Sequence, residues 1–261
     1  MIATLLLTTV GLMVLFALTY LWARRINNYG IVDFVWAYSF TAVAWHYALA
    51  GHGWAARGLV IASLATIWSV RLGSHLYSRV MSHHPQEDSR YVQLREDWQA
   101  NFAPKMFGFF QLQAVSVVIL SAPLFFPARN AMPAFNAWEL IGTTITVLAL
   151  LGETLADGQL KAFVRHPHNK GKVCKVGLWR YSRHPNYFFE WCIWVGLGLF
   201  ACGSAWGWIG LIAPAAILHL LLNVTGVPMA EASSLKSKGD AFRQYQQETN
   251  AFFPGPTRSS E

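Results

Sequence analysis

Seven stretches of about 20 predominantly apolar residues follow one another along this chain, at positions 2–22, 30–50, 55–80, 106–126, 138–160, 187–203 and 205–225, and that is the length an α-helix needs to cross a bilayer core about 30 Å thick. Within lipid, each backbone N–H and C=O must find its partner inside the segment or in a closed barrel. The expectation is an all-α fold, a polytopic membrane bundle of seven transmembrane helices forming one integral-membrane domain over 1–261. Composition agrees, with 54% hydrophobic, 15% aromatic and only 13% charged residues. The first stretch has no basic n-region and is long enough to span, so no signal peptide is expected.

An odd number of spans puts the termini on opposite sides. Of the 20 Lys and Arg residues, 17 fall at Arg24 and Arg25, in 79–105, in 161–183 and in the tail after Glu231, all on one side of the expected bundle, against Arg57 and Arg129 in the opposite loops and Arg71 inside a span. The positive-inside rule makes that side cytoplasmic and the N-terminus external. It also accounts for the net charge of +7 without nucleic acid as a partner. Cys174, Cys192 and Cys202 are odd in number and lack zinc spacing, which argues against a disulfide framework and a metal site. The pair His83-His84 is weak metal evidence by itself.

Polar residues inside apolar spans are costly and mark function or pairing. Asp33 begins the second span, on the face of Tyr29 and Trp36 by three- and four-residue spacing. Near a helix N-terminus it would complement the macrodipole; in a half-buried pocket it could instead stay protonated and donate to a ligand. Arg71, His75 and Arg79 form a stripe at four-residue intervals on the third span. Arg71 lies about 13 Å from the helix end, so a carboxylate such as Asp33 or Glu190 is its natural partner, and a structural ion pair is the alternative. Tyr77, on a neighbouring face, could polarise a carbonyl or simply anchor the interface. Gln111 and Gln113 on the fourth span could bond a ligand or another helix.

The richest stretch is Gly177-Leu178-Trp179-Arg180-Tyr181-Ser182-Arg183-His184-Pro185-Asn186-Tyr187-Phe188-Phe189-Glu190, a basic, aromatic loop entering an apolar helix. A helix starting at Pro185 places Asn186 and Glu190 on one face. Upstream, Glu153, Asp157 and Lys161 form a ladder on the fifth span, followed by Arg165, His166, His168, Asn169, Lys170, Lys172 and Lys175. Cations beside Asp157, Asn186 and Glu190 fit a phosphate-rich ligand with a polar head group. No Gly-rich fingerprint of Rossmann or P-loop type is present, so side chains of a helical bundle would hold any nucleotide. Between spans, 91–98 reads as a short amphipathic helix. In the tail, Asp240 reads as an N-cap, and Phe242 and Tyr245 share a face, as in a short docked helix that could serve as a lid.

The stretch 177–190 resembles the signature of the steroid 5-alpha-reductase C-terminal family, and 33–36, 71–79 and 225–231 resemble its bacterial DUF1295 branch. The resemblance implies a seven-helix reductase of a bacterial inner membrane, using NADPH to saturate the carbon–carbon double bond of an enone, typically a 3-oxo-Δ4-steroid. It places the family's cofactor-binding Asn and Glu on Asn186 and Glu190, its Asp on Asp157, its Tyr on Tyr181 and its loop cation on Lys172. The expected cofactor set is Asp157, Lys161, Arg165, Asn169, Lys172, Trp179, Arg180, Tyr181, Ser182, Arg183, His184, Asn186, Tyr187, Glu190 and Glu231. Residues 138–261 would then be the cofactor half and 1–126 the substrate side. The chain departs from the family where human-type members carry Glu on the second helix, here Asp33, and at their third-helix Tyr, with which Tyr77 aligns only after a shift.

Reduction of an enone places negative charge on the carbonyl oxygen, which calls for a donor aimed at that oxygen. Asp33, Tyr77 and His75 are the candidates. The substrate would be a steroid or other lipophilic enone entering from the bilayer, with no obligate protein partner. The segment 183–190, together with Glu231 and Tyr245, is also similar to integral-membrane methyltransferases of the isoprenylcysteine and phospholipid type, which implies S-adenosylmethionine as the alternative ligand. A non-enzymatic lipid-binding bundle is the third reading.

Overall fold

Asn27 adopts a left-handed conformation (φ 52°, ψ 41°) and closes the first helix, α1 (Ile2–Ile26), as a residue of its type can at a helix C-terminus. The structure, a computed structural model, describes residues 1–258. Asn28 then folds back, its Oδ1 accepting from the Gly30 N–H at 3.0 Å, and α2 (Ile31–Ala50) begins. The chain divides into two compact units, Met1–Ala137 with Phe200–Gly210, and Trp138–Leu199 with Leu211–Glu261.

In the first unit α2 packs along α3 (Ala55–His83). Short polar links fasten the pair: Thr41 to Ser69 at 2.8 Å, Ser69 to the Ala37 carbonyl at 2.6 Å, and the Trp45 indole to Thr66 at 3.0 Å. Such hydroxyl bonds join helices where apolar surface alone gives lipid-facing helices little reason to associate. After α3 comes α4 (Ser89–Trp98), the amphipathic helix expected at 91–98. Its N-cap is Asp88, which accepts the Arg90 N–H at 3.0 Å. The next helix, α5 (Phe102–Leu120), lies against α1, with the Tyr20 ring edge-on to Phe107 and Phe110. It stops at Ser121, short of the expected 126, and a single turn, α6 (Ala122–Phe125), follows.

Arg57, counted from sequence as a charge of the outer loops, is fully buried. Its guanidinium donates to the carbonyls of Asn130, Met132 and Ala134 at 2.7, 2.8 and 2.6 Å and lies against the rings of Trp54 and Phe135. One side chain thus satisfies three carbonyls of an irregular loop that has no helix to do so.

The second unit contains α7 (Ala137–Arg165), most of α8 (Pro185–Cys202), α9 (Ile212–His219), α10 (Val227–Lys238) and α11 (Asp240–Glu248). Glycine sets the α7–α8 approach: a Cβ at Gly196 would fall 2.3 Å from Thr146 Oγ1 and 2.7 Å from the Gly142 carbonyl. The seventh expected span is in three pieces, a 3-10 turn at Gly207–Leu211, α9, and a π-helical turn at Leu220–Val224. Asp240 is not the N-cap it was expected to be. Gly239 (φ 54°) holds that position with no side-chain cap, and Asp240 pairs with Arg243 at 2.9 Å.

Five helical segments are long and apolar enough to cross a membrane: Ile2–Ile26, Ala55–His83, Ser89–Leu120, Ala137–Arg165 and Gly207–Lys238. The other two expected spans are helices as well, α2 and α8. They fall outside the five because Asp33, His46 and several Tyr and Trp lower the hydropathy of α2, while Asn186 and Glu190 lower that of the shorter α8.

Candidate functional site

The loop ahead of α8 is sewn to α7 at Gly177. This residue has φ +56°, and a Cβ there would lie 2.4 Å from Gln159 Nε2, so only glycine fits. Gln159 Oε1 accepts the Leu178 N–H at 2.9 Å, and the Trp179 indole donates to the Ala156 carbonyl at 2.9 Å. Ser182 accepts the His184 N–H at 3.1 Å and donates to the Phe252 carbonyl at 2.8 Å. In the first turn of α8 the Asn186 amide donates to Asp157 Oδ1 at 3.2 Å, and one turn later Glu190 accepts from the Trp194 indole at 3.0 Å.

The tail binds this loop from its other side. Arg183, with a side chain only 10% exposed, donates through Nε to Glu231 Oε1 at 2.7 Å. Its Nη1 donates to the carbonyls of Gln246, at 3.0 Å, and Thr249. The Tyr245 hydroxyl donates to the carbonyls of Trp179 and Ser182, and the Gly255 N–H to Tyr181 O at 3.0 Å. Burial pushes the Tyr245 phenol above its ordinary range. The hydrogen bond from Lys175 holds the Glu248 carboxyl below its own. The tail is therefore hydrogen-bonded into the wall of the site.

Loop and tail enclose a cavity of about 200 Å³ in the second unit. Of the residues expected at a cofactor, Trp179, Arg183, His184, Asn186 and Tyr187 line it. The His184 ring stacks on Tyr187 with centroids 5.4 Å apart and 7° between planes, and its Nε2 lies 3.2 Å from Glu231 Oε1. Asp157 and Glu231 hold lining residues from behind. Asn169 instead bonds the Phe163 carbonyl at 3.0 Å at the end of α7, and Tyr181 is exposed. Sequence reasoning missed Cys174, Ser234 and Lys238 in the lining; it read Phe242 and Tyr245 as the face of a docked helix, and Tyr245 also as part of the methyltransferase resemblance. The spacing Ala230, Ser234, Lys238, one helical face, is the signal that could have found the α10 wall. The Cys174 thiol is pushed up by burial, with the Lys238 charge acting against that shift.

The cations near this site fall into two groups. Arg183 and Lys175 are committed to protein acceptors. The side chains of Lys161, Arg165, Lys170, Lys172, Arg180 and Lys238 make no hydrogen bond or ion pair among the described residues.

In the first unit, Asp33 is the centre of a cluster. Its Oδ1 accepts from the Tyr91 hydroxyl at 2.6 Å, and its Oδ2 from Arg90 at 2.7 Å and Arg79 at 3.2 Å. The guanidinium groups bonded to Asp33 are those of Arg79 and Arg90. Both carboxylate oxygens of Asp33 thus have partners on α3 and α4. His75 and Tyr77 are exposed on the surface of this unit, with Tyr77 edge-on to Phe34 at 5.3 Å. A second cavity, of about 260 Å³, lies beside the cluster and is lined by Asn28, Arg79, His83 and Glu87, among others.

These features define the class: an all-helical protein among its described residues, with five helices able to cross a membrane and an aromatic-walled cavity in its second unit. The chain belongs to the family described as "Protein of unknown function (DUF1295)", which matches residues 19–249. It is similar to "Uncharacterized protein C594.04c" of Schizosaccharomyces pombe (strain 972 / ATCC 24843), with 27% identity across 94% of this chain and 79% of the relative. No solved structure matches.

Proposed function

We propose that this protein is an integral-membrane, NADPH-dependent reductase that saturates the carbon–carbon double bond of a lipophilic enone, with 3-oxo-Δ4-steroids as the substrate class. The observation that carries the reading is the second-unit cavity, where Trp179, His184, Tyr187 and Asn186, the last held by Asp157, share the lining with Lys238. The lining fits one end of a dinucleotide, the cavity of about 200 Å³ being too small for the whole molecule. Trp179, Tyr187 and His184 offer flat surfaces for a planar base. Asn186 adds an amide carbonyl and N–H for a polar head group. Lys161, Arg165, Lys172 and Lys238 are available for phosphates. When bound, NADPH supplies the hydride that reduces the double bond.

The chain's own contribution is binding, orientation and exclusion of water. Arg183, Tyr245 and Ser182 hold the loop in shape, so that Asn186 and Tyr187 are pre-positioned on α8. Of the three candidate carbonyl donors, Asp33 is occupied as an acceptor. Tyr77, which makes no hydrogen bond among the described residues, and His75 take precedence. In this reading the loop 161–183 faces the cytoplasm, the N-terminus lies outside and seven helices span the bilayer.

The test is a titration of detergent-purified full-length protein with NADPH and, separately, with S-adenosylmethionine, followed by the fluorescence of its 12 tryptophans, Trp179 in the cavity wall included. Saturable quenching by NADPH alone is expected. A response to S-adenosylmethionine alone would transfer the site to the methyltransferase reading.

A further inference from the structure

We propose that Lys238 is a specificity-determining residue of the second-unit cavity, the cation that recognises a phosphoryl group of its ligand. This rests on the dinucleotide reading above. Apart from the ring of His184, two basic side chains line the cavity, Arg183 and Lys238. Arg183 is ion-paired with Glu231 through Nε and bonds two backbone carbonyls through Nη1, so its charge is already matched by a carboxylate and only Nη2 is left over. Lys238 is half-buried and makes no ion pair or hydrogen bond among the described residues. The charge that the lining offers to an anion is therefore that of Lys238.

Its setting is built for this. Ala230, Ser234 and Lys238 occupy successive turns of α10, and all three line the cavity. One helix face thus presents a small residue that leaves room, a hydroxyl that can donate, and an ammonium. Complementing the α10 macrodipole would explain a lysine in the last turn. Lys236, in the same turn and exposed, already does so outside the cavity. A half-buried cation among Trp179, Phe242 and Tyr245 gains from a counter-charge. A phosphoryl group supplies one, and a lysine meets it as a point charge with rotatable donors.

The experiment uses full-length protein in detergent, titrated with NADPH and with NADH, on wild type, Lys238→Ala, Lys238→Arg and Lys238→Glu. Lys238→Ala is expected to weaken NADPH roughly tenfold to hundredfold, the effect of losing a charge-assisted hydrogen bond. Lys238→Arg should stay within about threefold of wild type because the charge is kept, and Lys238→Glu should lose more than Ala. A loss confined to NADPH places Lys238 on the 2′-phosphate. An equal loss for both dinucleotides places it on the diphosphate, and either result supports the inference.

Wild-type protein that binds NADPH, with Lys238→Ala unchanged, overturns the inference and leaves the dinucleotide reading standing. A loss in Lys238→Arg equal to that in Ala, with a matching fall in thermal midpoint, makes Lys238 a helix-end support and also overturns it. Wild-type protein that binds neither dinucleotide overturns the reading and the inference with it.

Discussion

Replacing Arg183 by alanine separates a structural staple from a phosphate ligand. The guanidinium and its partner Glu231 have side chains 10% and 14% exposed, so the substitution strands a largely desolvated carboxylate. Removing one member of a buried pair costs about 3–5 kcal/mol. Glu231 keeps Gln246 at 2.7 Å and His184 at 3.2 Å, which puts the loss at the low end. The carbonyls of Gln246 and Thr249 also lose a donor. A local loss of about 3 kcal/mol corresponds to a change of roughly a hundredfold in opening equilibrium. Hydrogen exchange of the Thr249 and Gly255 amides, which bond Tyr245 O and Tyr181 O, reads that opening directly. Both should exchange about a hundredfold faster in Arg183→Ala. Arg183→Lys should be intermediate, because one ammonium can keep Glu231 but cannot span the planar fork's three acceptors. Tail protection within twofold of wild type, together with lost NADPH affinity, would refute the staple and return Arg183 to the phosphate.

Asp33→Ala should lower the thermal midpoint more than Asp33→Asn, since alanine leaves the buried Tyr91 hydroxyl unsatisfied at a cost of about 1–3 kcal/mol, while asparagine retains an acceptor. Unchanged midpoints with abolished enone turnover would instead make Asp33 part of the chemistry. Asp88→Ala removes the α4 N-cap and should cost about 1 kcal/mol, measured as faster exchange of the Arg90 and Tyr91 amides. Burial of Asp88 favours its neutral form, but the hydrogen bonds and charge of Arg90 outweigh that and hold its carboxyl below the ordinary value of 3.8. A depressed folded-state pKa contributes stability that is fully present above that ordinary value and is lost as pH falls through the folded one. Protection of α4 should therefore fall on acidification below about pH 4 in wild type and show no such step in Asp88→Ala. An identical acid profile in the variant would remove Asp88 as the cause.

The helices and the start of α8 were legible because their causes are local. Apolar length gives the spans, Pro185 gives the start of α8, and the residue types of Asp157 and Asn186 announced a polar pair at one membrane edge. The seven-span expectation met five segments of sufficient hydropathy because Asp33 and His46 in α2, and Asn186 and Glu190 in α8, carry polarity into helices that length alone had qualified. What could not be read was where each polar side chain spends its hydrogen bonds. Arg57 looked like a topological charge, yet three loop carbonyls claim it, and backbone carbonyls leave no mark in a sequence. Arg183 looked like part of a phosphate cluster for the same reason.

The same consideration reverses the ranking of the basic residues. From sequence, Arg183 and Lys175 counted among the loop cations beside Asp157, Asn186 and Glu190, and Lys238, beyond the last apolar segment, appeared only as one of the tail's topological charges. Once the acceptors of the tail are assigned, Arg183 and Lys175 are subtracted. The cavity's electrostatic character then passes to a residue 55 positions downstream of Arg183, brought into the lining by the α10 face it shares with Ala230 and Ser234. A basic side chain becomes a candidate for binding an anion only after the carbonyls and carboxylates of its own fold have been served. That condition excludes two of the cations nearest the α8 entry and admits one that no linear motif contains.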